Sequence, residues 1–250
     1  MKTETSKLRI LFFISYFAEA LFNAFVALFF KSVGFEGTEL GILVAIIPIG
    51  SMIGNFLFHK LARNIKRNLI IIRIACAIEF IAVGLIGLKH SFLFYCILTS
   101  IYAILDNPMF TLLDGVGVEI ANEEHKVYAS VRVFGSIGYM VACLVNTFLL
   151  KILNDNFAII FAISGVFFLF SSVYTFLINT DVVVERKEDT AFKYHYFKDK
   201  NFVLFILFYI LCFSTTVIGS TYGSVYYQGL GMSNSEWSFA NVYRVLVEVI

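Results

Sequence analysis

The sequence predicts an all-α bundle of membrane-spanning helices, and two observations carry that prediction. Of the 250 residues, 59% are hydrophobic and only 15% are charged, and the mean hydropathy is +0.83. A water-soluble domain could not bury that much apolar surface. The apolar segments are also about 20 residues long, the length that crosses a bilayer, and they lack the period-two alternation of a β-barrel. Because a backbone in lipid must satisfy its own hydrogen bonds, these segments are predicted to be helices.

The apolar segments follow one another along the chain with mostly short polar connections. The first continues as far as Phe30, too long for the apolar part of a cleaved signal peptide, so it is interpreted as an uncleaved span. An eighth begins near Trp237 and reaches Ile250 after about 14 residues, where about 20 are required. The first seven spans extend approximately over Leu8–Phe30, Leu40–Phe58, Leu69–Leu88, Phe92–Val118, Val131–Leu153, Phe157–Ile178 and Phe202–Val225.

Positively charged residues concentrate in every second connection between the spans. One side of the membrane holds the N-terminus and the connections after spans two, four and six, with Lys2, Lys7, Arg9, Lys60, Arg63, Lys66, Arg67, Lys126, Arg186, Lys187, Lys193, Lys198 and Lys200. The other side holds only Lys31, Lys89 and Lys151. By the positive-inside rule, these charges predict a multi-pass protein of the cell inner membrane with a cytoplasmic N-terminus.

The polar segment 179–201 predicts a cytoplasmic loop between a six-helix bundle (1–178) and the first two helices of a second bundle (202–250), the second helix being incomplete. A weak repeat supports this division, because segment 29–40 recurs 197 positions later, with Gly34 and Glu39 repeated as Gly231 and Glu236. Chance similarity between two outer loops is the alternative. Such a repeat predicts parallel six-helix halves. A second half of equal size requires about 390 to 400 residues, so we expect a C-terminally truncated sequence that lacks about four helices.

Charged residues inside the spans are the best functional candidates, because each costs about 2.5 to 3.5 kcal/mol at mid-membrane. Glu19 lies near the centre of span one, Glu79 near the centre of span three, and Asp106 in the inner half of span four. All three are candidate proton carriers, since a carboxyl group in a closed apolar cavity keeps its proton and releases it when water enters. We expect Glu19 and Glu79 to border a shared water-accessible gap. A neutralising ion pair between Arg73 and Asp106 is the structural alternative.

Three features are expected to shape the helices. Pro108 should kink span four next to Asp106, and this kink should expose backbone carbonyls to a ligand. Gly50 with Gly54 in span two, and Gly138 with Ala142 in span five, are pairs of small residues that let helices approach closely. These five residues predict packing and gating roles and no direct chemistry.

Residues 128–139, YASVRVFGSIGY, resemble the start of the fifth helix in the lactose-permease and phenylpropionate-permease-like branch of the major facilitator superfamily. The pattern there is Y/F-G-x-x-R-x-W/F-G-S/C-x-G, which Arg132, Gly135 and Gly138 match. In the sugar permeases of that family, the arginine pairs with a carboxylate eighteen residues earlier, and both bind the substrate. The resemblance implies these roles for Asp114 and Arg132, with a structural salt bridge as the alternative. Asn23 is a further candidate substrate ligand.

The connection between spans two and three departs from the pattern G-x-x-x-D-R/K-x-G-R-R of the same superfamily. Residues 59–68 lack its glycine and its aspartate, so Arg63 and Arg67 remain as candidate gating residues without the acidic partner of a gate-closing salt bridge. Glu248 looks like the eighth-helix acid of the family and is a further candidate proton carrier. Arg244 lies one turn earlier, and an ion pair within the helix is the alternative.

Together these features favour a secondary active transporter of the alternating-access type. The first expectation is proton-coupled symport of a small polar solute such as a sugar. A nucleoside permease, an aromatic-acid permease and an efflux carrier are alternatives, and a non-transporting membrane fragment or sensor is an alternative of a different class.

Other classes of protein are disfavoured by what the sequence lacks. It has none of the paired Asp or His motifs of intramembrane enzymes, so no enzymatic activity is expected. A formal charge of +1 provides no basic field for nucleic acid. The scattered histidines and cysteines predict no metal site and no cofactor. The expected partners are the lipid bilayer, a small-molecule solute and a proton, with no obligate protein partner.

Overall fold

The computed structural model describes residues 3–62, 64–88, 91–178 and 198–249, and within these ranges every regular element is a helix. A short 3₁₀ turn, Thr175–Leu177, extends the seventh helix. The α-helices of the described residues are α1 Glu4–Asn23, α2 Val26–Ser32, α3 Gly37–Leu61, α4 Ile65–Leu85, α5 Phe92–Glu123, α6 Ala129–Ile152, α7 Phe157–Tyr174, α8 Lys200–Gly229 and α9 Asn234–Val249.

Six spans among the described residues are long and apolar enough to cross a membrane, with α1 and α2 counted together as the first. They extend over Glu4–Ser32, Gly37–His59, Ile65–Leu85, Phe92–Glu123, Ala129–Ile152 and Phe157–Leu177. The predicted all-α, multi-pass bundle is therefore confirmed. The seventh predicted span lies within α8, a helix of 30 residues.

Two helix boundaries differ from the hydropathy prediction. The first span is broken after Asn23, because Phe25 has a φ of −128° and interrupts the helical backbone between α1 and α2. Helix α5 continues to Glu123, beyond the predicted end near Val118. Its last turns carry polar residues that lower the mean hydropathy, yet Ile120 and Ala121 are buried against the bundle. An amphipathic extension of this kind is invisible to a hydropathy average.

The first bundle is organised around α1, which packs against α6 and α7, while α5 packs against α3 and α4. Glycines permit the closest approaches. A Cβ atom at Gly138 would collide with the Phe13 carbonyl of α1, and one at Gly50 would lie 2.5 Å from the Cβ of Ala103 on α5. Gly54 is equally close to the backbone of α5. The prediction of close helix packing at these glycines is confirmed.

The two repeat segments adopt the same turn, which supports the predicted repeat. Gly34 and Gly231 end α2 and α8 with φ values of +100° and +95°, a left-handed conformation that favours glycine. In both turns, the amide that follows the glycine donates to the carbonyl five positions earlier, at 3.1 and 3.0 Å. This hydrogen bond and the positive φ define the same glycine-terminated helix end in both segments.

The repeat-related helices α2 and α8 also touch each other. Lys31 Nζ donates to Gln228 Oε1 at 3.2 Å, and these two residues occupy equivalent positions in the repeat. This contact lies at the end of the first bundle opposite to the one where α1 begins. Helices α8 and α9 therefore contact the first six spans at two places, through α2 and through α6.

Glu124, which follows α5, binds the start of α1. Thr3 precedes α1 without a capping bond from its side chain. The Glu124 carboxylate accepts instead from the Glu4 amide at 2.8 Å and from the amide and hydroxyl of Thr5. Lys126 Nζ also donates to it at 2.7 Å. A carboxylate from a distant part of the chain thus supplies the helix cap.

Candidate solute and proton sites

Asp114 and Arg132 come together where α5 and α6 face each other. Arg132 Nε lies 3.5 Å from Asp114 Oδ1, so the predicted pair is formed in the structure. The Arg132 side chain is 33% exposed and the Asp114 side chain 41%, so both can reach a ligand in water. The pair neutralises itself when the site is empty and offers both donors and acceptors to a polar solute.

Two tyrosines complete the surroundings of this pair. The Tyr128 hydroxyl donates to Asp114 Oδ1 at 2.6 Å. Burial raises the pKa of Tyr128, as does the Asp114 carboxylate beside it, so the phenol remains a hydrogen-bond donor. The Arg132 guanidinium carbon lies 4.3 Å from the centre of the Tyr16 ring, a cation–π contact with α1. Neither tyrosine was predicted from the sequence to have a role, although Tyr128 lies within the motif that identified Arg132.

Gly135 is required by this arrangement. A Cβ atom there would lie 2.7 Å from Tyr16 Cδ2 and 2.9 Å from Arg132 Nη1. The glycine of the family motif therefore leaves space for the ring and the guanidinium, one turn of α6 beyond the arginine. We name Tyr16, Asp114, Tyr128 and Arg132 the solute cluster.

Glu19 lies on α1 near Arg132 of α6 and Arg244 of α9, and we call the region between these three side chains the gap. Glu19 is half-buried, and it accepts a hydrogen bond from Asn23 Nδ2 at 2.9 Å. Two cations, Arg132 of α6 and Arg244 of α9, lie within electrostatic range of its carboxylate. Arg244 Nη2 donates to Tyr139 on α6 at 3.5 Å, so α9 brings a cation of the second bundle to the gap. The side chain of Glu248 lies outside the described residues.

Glu79 does not border that gap, and in this respect the expectation from the sequence was wrong. Its side chain is fully buried, and neither carboxylate oxygen has a hydrogen-bond partner among the described residues. The Tyr102 hydroxyl and Asp106 Oδ1 are likewise buried, and these two side chains lie close to each other. Asp106 and Glu19 lie within electrostatic range of Glu79. Three carboxyl groups from α1, α4 and α5 therefore lie near one another in the bundle; Glu79 is fully buried, whereas Glu19 and Asp106 are half-buried.

The expected ion pair between Arg73 and Asp106 is not formed. Arg73 Nε donates to Thr175 Oγ1 at 2.9 Å, and its guanidinium carbon lies 3.4 Å from the centre of the Phe176 ring. These contacts hold Arg73 against the end of α7, on a different side of α4 from the one that faces α5. Counted from the ends of their spans, Arg73 and Asp106 lie at similar depths in the membrane, but their side chains point in different directions.

Pro108 does not expose a carbonyl to a ligand, contrary to expectation. Helix α5 continues through Pro108. Proline has no amide hydrogen, so the carbonyl of Ile104 loses its usual partner in the helix, and this carbonyl is covered by Gly54 of α3. Close packing of α3 against α5 thus fills the position that a ligand would need. Of the two gating candidates, Arg67 is exposed at the start of α4, and Arg63 lies outside the described residues.

Comparison with known proteins supports the family resemblance at its coarser level. The model of the MFS_1 like family matches residues 5–250. The fold is similar to the crystal structure of a mutant of the nucleoside transporter NupG, with a TM-score of 0.78 and 15% identity over 89% of this chain. A second NupG structure has a TM-score of 0.71 and 13% identity over 90% of this chain. The chain covers 58% of each NupG chain. No curated protein matches the sequence.

Proposed function

Because the chain belongs to the MFS_1 like family, a group within the major facilitator superfamily of membrane transporters, we propose that it serves proton-coupled transport of a small polar solute by alternating access. The observation that carries this proposal is the solute cluster. A carboxylate, a guanidinium and two tyrosines gathered from α1, α5 and α6 remain partly open to water at a place where the second bundle meets the first.

The chemistry of the solute cluster favours a hydroxyl-rich solute. Asp114 accepts and Arg132 donates, so together they can bind two neighbouring hydroxyl groups of a sugar ring. The Tyr16 ring adds an apolar face of the kind on which a sugar or base can stack. A sugar is the first candidate, in keeping with the resemblance of residues 128–139 to the lactose-permease-like branch. A nucleoside is the second, favoured by the likeness of the fold to NupG.

The proton is proposed to be carried by the carboxyl groups of the bundle, Glu19, Glu79 and Asp106, with Glu248 as a further candidate. We place the N-terminus and the loop 179–201 on the cytoplasmic side, because the basic residues concentrate there. The contact between Lys31 and Gln228 then lies on the outer side of the membrane. The chain is proposed to act as two units, 1–178 and 202–250, that move relative to each other around the solute cluster.

Binding to the purified 250-residue chain tests the solute cluster without requiring transport. A panel of monosaccharides, disaccharides, nucleosides and aromatic acids is titrated, and the binding of a hit is then compared in Asp114→Asn, Arg132→Gln and the exposed control Glu39→Gln. We expect the first two variants to lose binding and the control to keep it. Counterflow and pH-driven flux in proteoliposomes follow with the same solute. Neither binding nor flux for any member of the panel would overturn the proposal and favour a non-transporting membrane protein.

A further inference from the structure

Glu79 lies in surroundings that a charged carboxylate could not tolerate. Its side chain is 0% exposed, and both oxygens lack hydrogen-bond partners. Burying an isolated ionised carboxylate costs far more than burying a neutral acid. Glu79 therefore carries its proton in this conformation. Tyr102, which is 1% exposed, brings a second buried polar group into the same interior, and its hydroxyl lies close to the Asp106 carboxyl.

Contacts of α7 place Glu19 and Glu79 at the same depth. The Ser164 hydroxyl donates to the Ala18 carbonyl of α1 at 2.6 Å. At the next residue, Gly165, an added Cβ would lie 3.0 Å from the Phe80 carbonyl of α4. Since Ala18 precedes Glu19 and Phe80 follows Glu79, the two acids lie at one level of the bundle.

Tyr102 connects that level to α5. Its ring packs 4.6 Å from the ring of Phe22, one turn beyond Glu19 on α1. Asp106 follows Tyr102 by one turn on the same face of α5. All three carboxyl groups, Glu19, Glu79 and Asp106, lie within electrostatic range of the Tyr102 hydroxyl.

The described helices that pack around Glu79 bring no cation to neutralise it. On α4 itself, Cys76 is its titratable neighbour, and Arg73 is bound to Thr175 and Phe176. Helix α5 contributes Tyr102 and Asp106, and α1 contributes Glu19. Helix α7 has no titratable side chain except Tyr174 at its end. The interior therefore stays neutral only if its acids hold protons.

We propose that Glu79, Tyr102 and Asp106 form a proton-holding site inside the first bundle, and that Glu19 transfers the proton between this site and the gap that contains the solute cluster. The inference rests on the proposed function and specifies where its proton is held. Among the described residues, two cations, Arg132 and Arg244, lie in range of Glu19 and none is recorded for Glu79 or Asp106, so Glu19 can be ionised without isolating a charge.

The transfer conserves charge and atoms. The transfer requires a change of conformation that admits water to Glu79, because the resulting carboxylate must be solvated. An O–H bond of the Glu79 carboxyl then breaks and a new one forms on the Glu19 carboxylate, directly or with the Tyr102 hydroxyl donating its proton to one acid while it accepts from the other. Negative charge moves inward as the proton moves out. A solute that occupies Arg132 weakens the stabilisation of ionised Glu19 and so favours proton uptake from the gap, which would couple the two ligands.

Infrared difference spectroscopy of the purified chain tests this proposal independently of transport. The carbonyl stretch of a protonated carboxylic acid is recorded at neutral pH in H₂O and after transfer to D₂O. We expect a band that disappears in Glu79→Gln, remains in the exposed control Glu39→Gln, and exchanges with D₂O several-fold more slowly in Glu19→Gln and in Tyr102→Phe. Glu79→Gln replaces a neutral acid by a neutral amide of the same shape, and the two other variants provide the readout if it fails to fold.

The outcomes separate this inference from the proposed function. A band that persists in Glu79→Gln, or exchange rates unchanged in both Glu19→Gln and Tyr102→Phe, would overturn the proton-holding site. The expected band changes in a protein that binds and carries no solute would support the site and remove the proposed function alone.

Discussion

Asp114 and Glu79 are carboxyl groups on neighbouring helices of one bundle, yet their surroundings are opposite. Asp114 has a guanidinium at 3.5 Å, a tyrosine donor at 2.6 Å and access to water. Glu79 has none of these and is completely enclosed. The difference shows that an acid inside a membrane helix can be tolerated in two ways. It can be ionised with partners at a wet surface, or neutral and isolated in the interior.

The largest expected effect comes from placing a cation at the isolated position. Glu79→Lys puts an ammonium group in a fully buried position, where the neighbouring acids Glu19 and Asp106 must release their protons before they can pair with it. We expect the folded membrane protein to be destabilised by at least about 2.5 to 3.5 kcal/mol. The protein should then fail to insert into the membrane, or should unfold in detergent at a much lower temperature. Glu79→Gln should fold normally, and Glu39→Lys on the exposed start of α3 serves as the matched control. Normal stability of Glu79→Lys would show that water reaches this site.

Breaking the paired site should instead affect binding and leave the fold intact. Asp114→Asn and Arg132→Gln each remove a charged hydrogen-bonding group, worth about 1.5 to 3 kcal/mol, or roughly ten- to a hundredfold in Kd. Because the pair is partly exposed, its contribution to stability is expected to be small, about 0 to 1 kcal/mol. Calorimetric titration gives the affinity and thermal unfolding the stability. Large destabilisation with unchanged affinity would make the pair a structural salt bridge.

A smaller effect should follow from displacing the aromatic wall of the solute cluster. Gly135→Ala would place a methyl group 2.7 Å from the Tyr16 ring, so the ring or Arg132 must move, at about 1 to 3 kcal/mol. Solute affinity should fall several-fold in Gly135→Ala. Gly115→Ala is the control, because a Cβ there meets no atom within 4 Å. Equal affinities in the two variants would mean that Tyr16 has no part in binding.

The smallest effect concerns Glu124, an acid with a full set of partners outside the spans. Burial alone would raise the pKa of Glu124, but hydrogen bonds from Lys126 and Thr5 outweigh it and lower the pKa below its usual value. Ionised Glu124 therefore stabilises the folded state fully at a pH above the usual pKa of glutamate. This stabilisation is lost as the pH falls through the lowered pKa. Glu124→Gln should cost about 1 kcal/mol at pH 7, as for a lost helix cap, and nothing in strong acid. A difference in thermal unfolding that is independent of pH would contradict this assignment. The neighbouring exposed Glu123→Gln is the control.

Much of the fold could be predicted because each contribution to it is local. A stretch of about 20 apolar residues must be a helix in lipid, whatever its neighbours are. The turns at Gly34 and Gly231 were detectable as a repeat because each depends on one glycine and its adjacent hydrogen bonds. The pairing of Asp114 with Arg132 was predicted through a family motif, since the spacing between the two residues meant nothing by itself.

The failures of prediction share one cause. Hydropathy and position place Arg73 and Asp106 at similar depths, but depth does not state which face of a helix meets which neighbour. Packing directs Arg73 to α7 and encloses Glu79 between α1, α4 and α5. It also covers the carbonyl freed by Pro108 with Gly54. None of these could be predicted without knowing the order of the helices around α1.

By itself, then, the sequence determined that this is a multi-pass helical membrane protein with acids inside its spans, because transfer of each residue to lipid is a property of that residue. Only the tertiary structure decided which acid has a cation beside it and which has none. Charge compensation is a relation between side chains on different helices. Its range is a few ångströms, and it arises only when those helices pack.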